Sequence, residues 1–219
     1  MSAPKAAAAG TGDADPLVLA LYGLTVVSGL IDAVSYLGLG HVFAANMTGN
    51  VVVVGFALAG APGFSVLGSI TSLAAFLLGA ALGGHLTAGR LRPALVAETA
   101  LHLAAAAVVS AAGTGGNVQY PVIALLALAM GLRNATVRSL GVPDLTTTVL
   151  TMTLTGLAAE PRSPRRRRRL LAALAMLAGV VPGSALVLHG RVTWALLASA
   201  ALTAATWSLY REPAAPRPA

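Results

Sequence analysis

Few side chains in this chain of 219 residues can do chemistry, and several of them stand inside long apolar runs. Asp32 interrupts the run from Leu17 to Gly40, with Ser28 and Tyr36 one helical turn away on the same face. Glu98 and His102 are spaced i, i+4 on the run that starts at Ala94 and so share a helical face. Arg133 and Asn134 close another apolar run that begins at Pro121. An ionisable group at membrane depth is costly and marks a solute, ion or proton path by default. On that reading Asp32 is a coupling or gating carboxylate, with Tyr36, Arg133 and Asn134 as its associates. Arg133 could pair with Asp32 or Asp144 in the interior, or reach the surface along its stem as Arg138 is expected to do. Glu98 and His102 are a candidate proton relay, since histidine titrates near neutral pH. The competing reading makes Asp32 a structural group paired with Tyr36, and Glu98 with His102 a structural pair facing neighbouring helices.

A second set of polar residues belongs to a pattern that occurs twice. GLIDAVSYLGLGHVFAANMTGN, from Gly29 to Asn50, is echoed by GLRNATVRSLGVPDLTTTVLTMT, from Gly131 to Thr153. Gly29, Leu30 and Ala33 recur as Gly131, Leu132 and Ala135, Asp32 becomes the near-isosteric Asn134, and Leu37, Gly38 and Thr48 recur as Leu140, Gly141 and Thr151. Irregular backbone inside a bilayer is tolerated only where protein or a water-filled cavity satisfies it. In the first copy Asn46, Thr48 and Asn50 offer side-chain hydrogen bonds and Gly49 permits a sharp turn. In the second, Thr146, Thr147, Thr148, Thr151, Thr153 and Thr155 offer hydroxyls. If a half-helix starts at each pattern near the midplane, its free N–H groups and positive dipole end suit a polar or anionic solute. The predicted binding set is therefore Asn46, Thr48, Gly49, Asn50, Thr148, Thr151 and Thr153. The alternative is that these residues only cap helices at the membrane surface.

The elements that must position these groups follow from composition. The chain is 57% hydrophobic and 10% charged, with a mean hydropathy of +0.81. A water-soluble domain of this size could not carry that composition without large exposed apolar patches, so an all-α polytopic membrane protein is expected. A spanning helix needs ~20 residues for a hydrocarbon core of ~30 Å, and several of the uncharged runs qualify. Residues 1–16 read as a polar, disordered leader without the features of a signal peptide. Residues 17–210 form a single transmembrane domain, with repeats at 17–112 and 119–210, and 211–219 form a disordered tail. There is no cysteine, which excludes thiolate chemistry and disulfides. No metal or cofactor is expected: His41, His85, His102 and His189 lack metal-ligand spacing and no P-loop is present. Without a nucleophile, base and orienting group in register, the chain does not read as an enzyme.

The arginines set the topology. Arg90 with Arg92, Arg162 with Arg165 to Arg169, and Arg211 with Arg217 should all lie in the cytoplasm, placing both termini there. Between the arginine-free link at Thr114 to Gln119 and Arg162 an odd number of crossings must occur, yet two apolar segments lie there. One therefore cannot span, and the same parity makes Asn46 to Gly60 the non-crossing piece of the first half. Its eleven residues from Asn50 to Gly60 give ~16 Å of helix, about half the hydrocarbon thickness. Six spanning helices with two re-entrant or broken half-helices result, and three crossings per half make the internal 3+3 repeat an inverted one. Eight full crossings is the rival, which would put the arginines of 162–169 outside. Those arginines are expected to meet anionic lipid headgroups at Arg165 to Arg169 rather than nucleic acid. Gly79 and Gly83 form a G-x-x-x-G that lets helices approach closely, within the chain or in a homo-oligomer.

The segments DAVSYLGLG, FAANMTGNVVVVG and GLRNATVRSLGVPDLTTTVLT together resemble the YoaK family of small bacterial integral membrane proteins, grouped as a domain of unknown function. The resemblance runs from about Leu17 to Tyr210. Arg133 stands where glutamine often precedes the Asn-Ala pair, and Thr151-Met152-Thr153 where Thr-Gly-Thr is common. The resemblance implies about six helices and a bacterial inner membrane; it supplies no substrate. The functional expectation is a channel or transporter for a small polar or anionic solute; the alternative is a non-transporting scaffold or sensor whose basic loop recruits a partner.

Overall fold

The computed structural model describes residues 15–87, 89–141, 150–160 and 162–210. Among them there is no strand. The helices are α1 (Pro16–Gly38), α2 (Met47–Leu58), α3 (Val66–Leu86), α4 (Leu91–Ala112), α5 (Gln119–Leu140), α6 (Leu150–Ala159), α7 (Arg166–Leu188) and α8 (Val192–Leu209), with one 3-10 turn at Gly116–Val118. Six are long and apolar enough to cross a membrane, while α2 and α6 are too short. Local chemistry sets the ends: Asp15 accepts from the Leu17 N–H at 2.8 Å with Pro16 opening α1, and Ser65 accepts from Gly68 at the start of α3. Gly141, at φ 67°, closes α5 in the left-handed conformation that costs glycine nothing. Thr146, Thr147, Thr148 and Asp144, with the expected leader up to residue 14 and the tail from 211, lie outside the described residues.

Two glycine seams organise the bundle. A β-carbon on Gly179 of α7 would sit 1.9 Å from the Val26 carbonyl oxygen of α1, and one on Gly29 would sit 2.2 Å from that of Met176. The other seam repeats this: a β-carbon on Gly79 would lie 2.1 Å from the Leu128 oxygen, on Gly83 2.3 Å from that of Leu132, and on Gly131 2.0 Å from that of Phe76. Only a hydrogen at these positions lets the backbones touch. The contacts advance in step along both chains, so α1 runs parallel to α7 and α3 parallel to α5. Helix α4 packs on α5 and α8, and α8 on α1. Exchanging α1–α4 for α5–α8 preserves the main packing pairs: α1 with α7 becomes α5 with α3, α2 on α3 becomes α6 on α7, and α4 on α5 becomes α8 on α1, whereas the slight packing of α7 on α8 has no equal between α3 and α4. Helices α1 and α5 are the most buried, whereas α3 and α7 present Leu77, Leu78, Leu82, Leu174, Leu177 and Val181 outward, as lipid-facing helices do.

Candidate functional site

The first polar centre holds the chain that leads into α2. After α1 ends, His41 adopts a left-handed φ of 59° and the chain doubles back. The Asp32 carboxylate, six residues before the end of α1 and so ~9 Å below it, accepts from the N–H groups of Ala44 at 3.1 Å and Ala45 at 2.8 Å. Ser35 Oγ accepts from Ala44 as well, at 3.2 Å. Asn50 clamps the same turn from the helix side: its Oδ1 accepts from the Phe43 N–H at 2.8 Å, and its Nδ2 donates to the Phe43 carbonyl at 2.6 Å and to Ser72 Oγ of α3 at 3.1 Å. Phe43 stacks on Tyr36 with centroids 4.7 Å apart, and Gly49 leaves room for that ring, since a β-carbon there would lie 2.6 Å from it. His41 Nδ1 hydrogen-bonds with the Gly63 carbonyl at 3.0 Å, so the way into this excursion lies beside the way out. The excursion is re-entrant: it enters and leaves at one end of the bundle.

The second centre is charged and enclosed. Arg133 on α5 has no exposed surface. Its Nη1 donates to Glu98 Oε1 of α4 at 2.9 Å and to the Leu24 carbonyl of α1 at 3.1 Å. Its Nη2 donates to Ser28 Oγ of α1 and meets the Met130 sulfur at 3.1 Å. His102 Nε2 stands 3.9 Å from Glu98 Oε1, beyond a hydrogen bond, and the ring faces the Ser199 backbone of α8. Four atoms complete no hydrogen bond of good geometry: Arg133 Nε, Glu98 Oε2 and both His102 ring nitrogens. Glu98 lies seven residues into α4 and Arg133 seven before the end of α5, which places both ~10 Å from one end of the bundle. The two charges come from helices that pack on each other, and Arg133 ties α5 to α1, which belong to different glycine seams.

The expected residues thus divide into separate groups. Asp32, Tyr36, Gly49 and Asn50 come together around the re-entrant turn, where the polar capacity of Asp32 and Asn50 is taken up by backbone. Asn46 and Thr48 sit exposed at the start of α2, and Asn46 makes no side-chain cap. Thr153 of α6 is buried, Thr151 is exposed and accepts at its carbonyl from Thr155 Oγ1, and Thr148 lies outside the described residues. Helix α2 packs on α3 and α6 on α7. Arg133 pairs with Glu98 rather than with Asp32, and Asn134 beside it is half-buried. Arg138 is exposed in the last turn of α5, as expected. Glu98 and His102 are both wholly buried and join Arg133. The Glu98–Arg133 pairing was not foreseen, although equal depth from the ends of two adjacent apolar runs was a usable signal.

Six apolar spans around a buried ion pair define a multi-pass integral membrane protein. Residues 20–209 match the family described as "Protein of unknown function (DUF1275)", and the chain belongs to it. It is also similar to the "UPF0700 transmembrane protein YoaK" of Bacillus subtilis (strain 168), 34% identical over 144 residues, which cover 63% of this chain and 64% of that protein. The match thus spans less than two thirds of the relative's length. No solved structure matches.

Proposed function

We propose that the chain is a transporter for a small anionic solute, with Arg133 as its binding cation. The observation that carries this is the Arg133 guanidinium, wholly buried and with Nε unbonded, beside an equally unbonded carboxylate oxygen, Glu98 Oε2. A charged side chain at the bilayer centre costs ~2.5–3.5 kcal/mol even on the mildest scales. A buried ion pair is often no more stabilising than well-packed apolar residues of similar volume, so stability alone gives little reason to keep one here. A guanidinium presents a planar fork that suits carboxylates and oxyanions.

The packing supplies a route. We infer that the halves form an inverted 3+3 repeat, in which α1 with α7 and α5 with α3 are two rigid units joined along glycine seams and separated by α4 and α8. Arg133 reaches from one unit to the other, so rocking of the units opens its surroundings to either side in turn. The Asp32 latch on the re-entrant turn serves as the gate at one end. By the positive-inside rule the end with Arg90, Arg92 and Arg165 to Arg169 faces the cytoplasm of a bacterial inner membrane, where the exposed Arg165, Arg166 and Arg167 meet anionic headgroups; Arg168 and Arg169, expected there too, are buried instead, Arg169 against Glu160.

The test is stopped-flow uptake of nitrate, lactate and sulfate into proteoliposomes. At least one anion should enter faster than in empty vesicles, and Arg133→Gln should remove the excess. Uptake of no anion above background, or full uptake by Arg133→Gln, would overturn the reading.

A further inference from the structure

The ion pair itself points to how transport is driven. We propose that Glu98 and the solute anion compete for Arg133, so that each monovalent anion is taken up together with one proton. This rests on Arg133 being the anion site.

Glu98 holds Arg133 through one carboxylate oxygen, and its other oxygen, Oε2, is buried with no partner. Arg133 in turn has its Nε–H unbonded, and the remaining guanidinium hydrogens go to groups that carry no charge: the Leu24 carbonyl, Ser28 and Met130. The resting centre is neutral in sum, one guanidinium against one carboxylate. An anion entering beside an ionised Glu98 would place two negative charges against one positive in a water-poor interior, which is strongly disfavoured. A proton on Glu98 removes the conflict. The carboxylate takes up H⁺ and becomes an acid that can donate from Oε2, its bond to Nη1 gives way, and the anion takes the vacated fork. Before and after, the centre carries the same net charge: Arg⁺ with Glu⁻ is exchanged for Arg⁺ with the anion and a neutral Glu98. Release reverses each step, and the proton leaves with the anion.

The surroundings contain few other places for that proton. On α4 the nearby titratable group is His102, 3.9 Å from Glu98, too far for a direct hydrogen bond, with its ring against the Ser199 backbone. Helix α5 supplies Arg133 and neutral Asn134. Helix α1 supplies Ser28 and, one turn farther along, Asp32, whose carboxylate is held by Ala44 and Ala45. Helix α8 faces the cluster with Ser199 and Thr203, whose hydroxyls donate to the carbonyls of Leu196 and Ser199 in their own helix. Ser199 and Thr203 fill on α8 the places of Glu98 and His102 on α4, so the charged pair exists in one half of the bundle only.

The experiment uses the full chain in nanodiscs, with nitrate and lactate as probes and sulfate for comparison. Anion binding is followed by calorimetry across a pH series, and proton uptake by an indicator dye in weak buffer. Wild-type protein should take up close to one proton per nitrate or lactate bound, and its affinity should fall about tenfold per pH unit where Glu98 is ionised before binding. Glu98→Gln should bind without proton uptake and with an affinity independent of pH. Binding without proton uptake by the wild type, or a pH dependence retained in Glu98→Gln, overturns the proton exchange and leaves the anion site standing. If neither protein binds any of the anions, the anion site fails and the exchange with it. The wild-type stoichiometry decides the matter even where Glu98→Gln does not insert.

Discussion

Replacing Asp32 with alanine should loosen the re-entrant turn far more than it disturbs the rest of the bundle. The carboxylate accepts from two backbone N–H groups, Ala44 and Ala45, both in buried residues. Removing the acceptor leaves a buried donor unsatisfied, at a cost of about 1–3 kcal/mol per group. Ser35 Oγ remains as an alternative acceptor for Ala44, at 3.2 Å. The full loss at Ala45, about 1–3 kcal/mol, and a partial one of about 1 kcal/mol at Ala44 sum to about 2–4 kcal/mol, and at 1.4 kcal/mol per decade the open state of the turn becomes ~30- to ~700-fold more populated. The natural chain has no cysteine, so one introduced as Ala45→Cys can be labelled alone by an impermeant thiol reagent. Its labelling rate should rise by at least ~30-fold in Asp32→Ala. Asp32→Asn keeps an oxygen for the same N–H groups and should stay within a few-fold of the parent. Equal labelling in all three proteins would refute the latch, and equal acceleration in Asp32→Asn and Asp32→Ala would show that charge, not acceptance, holds the turn.

Other outcomes follow from the same geometry. Gly131→Ala and Gly179→Ala should each lower thermal stability in detergent, because the added carbon meets a backbone oxygen at 2.0 Å and 1.9 Å. Gly55→Ala and Gly84→Ala, with nothing within 4 Å, should be neutral or gain up to about 1 kcal/mol from helix propensity. Asn50→Ala strands the Phe43 N–H, while the Phe43 carbonyl keeps the Ser72 hydroxyl at 2.6 Å, and should cost about 1–3 kcal/mol, read as a lower melting temperature and faster labelling at Ala45→Cys. Arg169→Ala removes a buried side chain whose guanidinium lies over Gly156 of α6 and donates to the exposed Glu160 at 2.8 Å, so lost packing adds to the lost pair and stability should fall by about 1–3 kcal/mol, measured by the same melting assay.

Much of this architecture was legible because the bilayer leaves a sequence few options. Run length marked eight apolar segments, and parity of the arginine loops singled out as non-spanning the two that the structure forms into α2 and α6, helices too short to cross. The G-x-x-x-G of Gly79 and Gly83 is one of the two seams. The first polar turn was legible as a turn, but not in its bonding: Asn50 and Asp32 look like ligands in a linear reading, yet they spend their hydrogen bonds on Phe43, Ala44 and Ala45. Nothing in residue type tells a side chain that satisfies its own backbone from one that awaits a solute. The charged cluster was hidden for another reason. Glu98 and Arg133 are 35 residues apart and meet only because α4 and α5 fold back on each other, so i, i+4 spacing singled out His102 as the partner of Glu98 and left Arg133 between Asp32, Asp144 and the surface.

Anomalous diffraction from crystals of the full chain soaked with bromide tests the central claim most directly, since it locates a monovalent anion without reference to transport. A bromide peak is expected within about 4 Å of the Arg133 guanidinium at low pH, weakening as the pH is raised and absent in Arg133→Gln. Bromide held only at the surface arginines, with the Arg133–Glu98 pair intact and unoccupied at every pH, would contradict it.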